Sequence, residues 1–370
     1  MNTIDLHTLT VEQPIGKFYV TKISYSDLWV MSKVDRRHIT EDDEVLGIQR
    51  ELKNDKVNQI KKYLTTVFAT FPNSIIVNVS SSNIANQTDD VLTLKVNDDT
   101  FTIIDGQHRL AGFDNYKGGN FELVLSIFID MDISQQADIF STINSEQTKV
   151  DPSLNVNLEL DSKYYTPRKM MVEIAQSFNY AKESPWFNSI KMLGGGKGGF
   201  ISLSSFARPL FGLTYRESDW YIIKNRLITG EENNSFNEIS YDASKYLFWD
   251  FYKHRDSASV YKILNNFFSA LKDIFQIDWM NEKSILNKTT GYNAMMRLFK
   301  EFIPVGLDEK RFTYDFFIEK MTPLSKLDGS IRSENYGSSG LYSTNQLYKD
   351  FIDALAGAGI LLSKEQENVS

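Results

Sequence analysis

The sequence predicts an α+β protein. A sheet-bearing N-terminal domain covers residues 1–160, a mainly α-helical domain covers 161–362, and a polar tail closes the chain at 363–370. Three observations carry this. Short runs rich in β-branched and aromatic residues recur up to about residue 130, several alternating with polar positions as half-buried strands do. From about residue 160 the apolar spacing changes to the period of helices. At 370 residues the chain also exceeds one simple core, which favours two domains.

In order, residues 15–23 alternate and read as a strand, and Ser24 or Ser26 caps a short helix after it. Over 56–67, Val57, Ile60, Tyr63, Leu64 and Val67 fall at helical spacing. Lys53, Lys61 and Lys62 lie on the polar side, where a solvated face is the simpler account than DNA contact. Phe71 and Pro72 end the helix, and Ile75 to Val79 form a β-branched strand. After a polar loop at 80–90, residues 91–96 and 101–104 read as a hairpin, followed by a strand at 121–129. Ser134 caps a helix running to Ile143, which ends in a polar cluster from Asn144 to Pro152. Further helices are expected at 166–178, 202–211, 217–228, 238–254, 257–276, 290–301, 312–320 and 344–356. Thr289 or Thr290 caps the one that holds Gly291 in its first turn. The glycine tract at 194–199 has neither the Gly-Lys-Ser/Thr ending nor the preceding strand of a Walker A motif, and reads as a flexible loop.

Composition bounds the function. Hydrophobic residues at 42% and aromatics at 13% suit packed interiors. No apolar run reaches the ~18 residues of a spanning helix, and the first residues lack a signal-peptide pattern. Zero cysteines exclude disulfides, thiolate nucleophiles and Cys-ligated zinc. A cytoplasmic protein without membrane contact is the expectation. The net charge of −8 argues against a generally basic surface and leaves room for a local basic groove. His7, His38, His108 and His254 are scattered without an HExxH pair, so a histidine metal site is not expected, while carboxylate-bound Mg²⁺ stays open.

The chemistry concentrates at Asp105, Gly106, Gln107, His108 and Arg109, between the apolar run Phe101–Ile104 and the spaced apolar residues Leu110, Ala111 and Phe113. A strand, a tight turn and a helix start are expected, and a helix start offers free N–H groups to an anion. Arg109 suits phosphate, and His108 can donate to phosphate or act as a base. Asp105 would hold Mg²⁺, orient its neighbours or activate water. Gln107 would orient a base, a sugar or a nucleophilic water, and Gly106 permits close backbone approach. Asn144 and Gln147, at the end of the next helix after a strand, would return to the same crevice. Arg50 would add a cation, with a solvated surface arginine as the equal alternative. The plainer reading of the whole turn is a helix cap.

These residues resemble the signature of the DGQHR-domain family, whose best-known branch is DndB of bacterial DNA phosphorothioation systems. The resemblance extends over roughly 45–345. It includes Gln49 and Arg50 ahead of a helix ending in Tyr63 and Leu64, Phe71 and Pro72 before a strand, and Ile143 to Gln147 followed by Val150. Thr289 to Tyr292 and Gly337 to Gly340 are also similar to the family's pattern. The resemblance implies a ParB/sulfiredoxin-like fold for the N-terminal domain, with Gly106 to Arg109 cradling a triphosphate and Asn144 beside it. It implies an NTP (ATP or CTP-like) with Mg²⁺, DNA as partner, and a place among DNA-modification or phage-defence proteins. The oligomeric state stays open. Sulfiredoxin chemistry is excluded, because its cysteine has no counterpart. The reading is therefore a nucleotide-binding protein, an NTPase acting with DNA. Its rival is a DndB-type regulator that binds operon DNA without turnover. A nuclease, using Asp105 with Asp130 or Asp132, has the least support.

Overall fold

A computed structural model describes residues 2–33, 38–39, 45–46, 52–146, 150–193, 199–230, 239–279, 281–337 and 340–360. The chain divides into two compact units, Met1–Lys149 and Val150–Ser370. The arrangement is α+β, with the extended sheets in the first unit and mainly helices in the second.

The first unit opens with β1 (Thr3–His7), β2 (Leu9–Gln13), β3 (Gly16–Ser24), α1 (Tyr25–Val30) and β4 (Ser32–Lys33). The small pair β5 (His38–Ile39) and β6 (Val45–Leu46) precedes α2 (Asn54–Leu64) and β7 (Ile75–Val79). Then come β8 (Ile84–Gln87), β9 (Val91–Lys95), β10 (Phe101–Asp105), α3 (Gln107–Ala111), β11 (Glu122–Ile129) and α4 (Ile133–Glu146). The main sheet has the order β2-β3-β11-β7-β10-β4, with β11 parallel to β7 and β10 antiparallel to it. One face carries Ile23, Ile75, Val77, Val79, Phe101, Ile103, Leu123, Leu125 and Ile127 into a core shared with Leu28, Leu64, Leu110 and Phe113. Each such fully buried side chain contributes about 1.5–3 kcal/mol.

Several expectations are corrected here. The 91–96 and 101–104 strands do not pair with each other. β9 joins β1 and β8 in a separate three-stranded sheet, while β10 enters the main sheet. Thr100 makes that parting, its Oγ1 accepting from Asn97 N–H at 2.9 Å and donating to the Lys95 carbonyl at 2.7 Å. The 80–90 segment is not all loop, since β8 lies within it. Helix α2 stops at Leu64, leaving Val67 exposed beyond its end. Ser24, not Ser26, caps α1 by accepting from Asp27 N–H. Asp132, not Ser134, caps α4 through a reciprocal capping box. Asp132 Oδ1 accepts from Gln135 N–H at 2.8 Å, and Gln135 Oε1 accepts from Asp132 N–H at 3.1 Å.

The second unit comprises α5 (Pro152–Asn157), α6 (Pro167–Tyr180), β12 (Ile190–Lys191), β13 (Ile201–Ser202), α7 (Leu203–Gly212) and α8 (Trp220–Thr229). It continues with α9 (Trp249–Lys253), α10 (Ser257–Ile274), α11 (Thr289–Asp308), α12 (Tyr314–Met321), α13 (Ser333–Tyr336) and α14 (Leu341–Ala356). An aromatic nest of Trp186, Phe206, Phe268 and Tyr292 centres its core, and the fully buried Tyr292 hydroxyl donates to the Phe206 carbonyl at 2.8 Å. Of the 238–254 stretch, only Trp249–Lys253 is helical among the described residues, because Asp242 starts a turn by accepting from Ser244 N–H. Lys288, not a threonine, is the N-cap of α11, and no side chain caps it. No helix among the described residues is long and apolar enough to cross a membrane.

Candidate functional site

The strand–turn–helix expected at the central motif is present. Strand β10 ends on Asp105, Gly106 takes a left-handed conformation with φ 106° and ψ 6°, and α3 starts at Gln107. A bulge between Ile103 and Asp105 lets the chain leave the sheet there. Only glycine fits at 106. A Cβ would have positive φ and stand 2.9 Å from Ile75 Cγ1 and 3.1 Å from an Arg109 guanidinium nitrogen.

Arg109 is tied into the scaffold. Its Nη1 donates to the Asn73 carbonyl at 2.6 Å, and its Nη2 donates to the Ser74 carbonyl at 3.1 Å and to Asp105 Oδ2 at 3.0 Å. The Arg109 and Asp105 side chains are only 18% and 27% exposed. The pair stands one helical turn apart and fastens the end of β10 to the entry of β7.

His108 is a second tether. Its Nε2 accepts from the backbone N–H of Lys53, the N-cap of α2, which no side chain caps. A ring nitrogen that accepts is unprotonated, so the imidazole is neutral with its proton on Nδ1. Burial holds the His108 pKa below its ordinary value, and Lys56 and Lys53 push it the same way against the opposing pull of Asp105. The field at the turn is thus positive on the α2 side. Gln107 is buried in the first turn of α3.

The second polar cluster is partly in view. Asn144 lies in the last turn of α4, whereas Gln147 and Arg50 fall outside the described residues. A cleft of about 330 Å³ lies between α4 and the sheet, lined from β2, β3, β7, β11 and α4. Ile76, the ladder partner of Asp105, lines it, as does Ile143, the neighbour of Asn144. Its walls are apolar and aromatic, with Phe18 and Phe128 stacked at 5.0 Å, and Gln13, Ser126, Asp138 and Thr142 add polar points.

A protein-held Mg²⁺ does not fit this donor set, because the Asp105 carboxylate is paired with Arg109. Among the described residues no group of three or more acidic or histidine side chains could hold a metal. Asp130 accepts from Ser81 N–H, and Asp132 is the α4 cap, so the nuclease reading gains nothing. The residues that sequence reasoning missed are Asn73 and Ser74, which act through carbonyl oxygens, and Lys56. Carbonyls leave no mark in a sequence, but Lys56 stands one turn from Lys53 on the same helix.

No curated protein matches the chain in sequence. Among solved structures it is similar to the C-terminally truncated chromosome-partitioning protein ParB from Caulobacter crescentus complexed with CTP-gamma-S. The identity is 11% and the TM-score 0.27, over 66% of this chain and 97% of that one. The model of the DndB family, described as DNA-sulfur modification-associated, matches residues 6–192, just over half of the chain, and the protein belongs to that family.

Proposed function

We propose that the protein is a nucleotide-binding component of a DNA-sulfur modification system, an NTPase working with DNA and with other modification or defence proteins. The observation that carries this is the shared cleft. Ile76, the ladder partner of Asp105, and Ile143, the neighbour of Asn144, line one aromatic-walled space. Its stacked Phe18 and Phe128 suit a nucleobase. At the turn that follows Asp105, Gly106, the neutral His108 with its proton on Nδ1, and the cations Lys53 and Lys56 suit phosphate oxygens. Arg50 and Gln147 remain proposed members of this site. Arg109 contributes by holding the turn.

A specific observation favours the second reading, a DNA-binding regulator without turnover. The Asp105 carboxylate and the Arg109 fork are already paired within the unit, so neither is poised for chemistry.

The structure also selects the variants. Arg109→Ala would disturb the fold and the site together. Thr142→Trp fills the cleft from an exposed helix position, and Lys56→Glu reverses an exposed charge. The expected result is saturable NTP binding by the wild type that weakens tenfold or more (about 1.4 kcal/mol) in each variant, with unchanged melting. If the wild type binds no NTP yet shifts duplex DNA, the nucleotide reading falls and the regulator takes its place.

A further inference from the structure

The helical unit contains a cleft of about 390 Å³ that no part of the reading above uses. Arg297 and Lys300 of α11 and Arg208 of α7 line it, and no carboxylate does. None of the three has an ion-pair partner among the described residues, although Arg297 donates to the uncharged Asn345 Oδ1. In a chain of net charge −8, three uncompensated cations around one cavity are a local reversal of sign. Asn293 lies on the same α11 face, one turn before Arg297, and offers a neutral amide to the cavity.

Thr290 supplies a further indication. It is only 5% exposed and lines the cavity, yet its hydroxyl makes no hydrogen bond among the described residues. The hydroxyl therefore opens onto the cavity space, as a donor that a group bound there can use. An oxyanion in the cavity would accept from it and be neutralised by the three cations.

We infer that this cavity is a phosphate site, separate from the turn in the first unit, with Thr290 and Asn293 as donors and Arg208, Arg297 and Lys300 as counter-charges. The phosphate belongs either to a nucleic-acid backbone or to a free ligand, and the two are distinguishable. Binding is read on the full chain with a short DNA duplex and, separately, with inorganic pyrophosphate.

The expected result is that the Arg208→Ala, Lys300→Ala double variant weakens binding of at least one probe about tenfold. If that probe is the duplex, its salt dependence flattens by about two phosphate contacts. Thr290→Val, which keeps the shape and removes the donor, weakens the same probe about tenfold, as for one hydrogen bond to a charged acceptor. Loss confined to pyrophosphate assigns a free ligand, and loss of duplex binding assigns a backbone phosphate. The site is overturned if the wild type binds neither probe or if the double variant binds both unchanged. An equal loss from Lys262→Ala, Lys272→Ala, two cations of α10 outside the cavity, also overturns it. Thr142→Trp blocks the cleft of the first unit and leaves this cavity intact, so failure of the nucleotide reading is separable from failure of this one.

Discussion

Arg109 and Arg208 are the same residue put to opposite uses in the two units. Arg109 spends its guanidinium on two carbonyls and a carboxylate of its own unit. Arg208 is exposed, lines a cavity with Arg297 and Lys300, and has no ion-pair partner among the described residues. The difference teaches that a cation in a distinctive motif is not for that reason available to a ligand. What decides is whether its partners are already in the fold. The motif cation serves as a clasp, and the cations outside any motif are the ones left uncompensated.

The sharpest way to break this comparison is to remove each arginine in turn. Arg109→Ala strands Asp105 in a half-buried position and releases two carbonyls, which should cost about 3 kcal/mol. Arg208→Ala should stay within about 0.5 kcal/mol, as for an exposed side chain with no partner. Denaturant unfolding of the full chain measures both, each unit being free to show its own transition. If the two variants unfold alike, the clasp is not what holds the turn.

That contrast also marks what could be read in advance. The turn's backbone was legible, because an apolar run, a glycine and a new apolar period force a strand to end and a helix to begin between Ile104 and Leu110. The cap of α4 was open to the sequence only in part, because Asp132 with Gln135 makes a capping box while Ser134 is a capping type of equal rank two positions on. Pairing was not legible. The alternation in β9 makes it a strand but does not name β1, some 88 residues away, as its neighbour. Arg109's role was hidden for the same reason, since Asn73 and Ser74 engage it through backbone atoms that any residue would supply. The cavity of the second unit draws on α7, α11 and the start of α14, far apart in sequence.

A smaller effect separates conformation from crowding. Gly106 and Gly230, one in each unit, both have positive φ, 106° and 75°. Among the described residues a Cβ on Gly230 meets nothing within 4 Å, whereas one on Gly106 meets the buried Ile75 at 2.9 Å. Gly230→Ala should therefore cost about 1 kcal/mol, the left-handed backbone alone. Gly106→Ala should cost about 2 kcal/mol, because overpacking adds to it. Equal losses in thermal unfolding would mean that Ile75 gives way freely and that the turn is less tightly seated than Arg109's contacts imply.

The smallest effect is a pH dependence carried by His108. Its folded pKa lies below the ordinary value of a free histidine, about 6.5, chiefly through burial and then through Lys56. On acidification the unfolded chain therefore takes up this proton first. The stabilisation is complete above about pH 6.5 and is lost as pH falls through the folded pKa, where Nε2 can no longer accept from Lys53 N–H. In His108→Gln the amide oxygen keeps an acceptor and does not titrate, so that variant should lose less stability than the wild type on going from neutral to mildly acidic solution. Lys56→Ala removes a repelling cation, and NMR titration should find the His108 midpoint moved upward. A midpoint that stays put would mean that the positive field at the turn is not set by α2. The phosphate reading of the turn would then have to rest on cations beyond the described residues, Arg50 first among them.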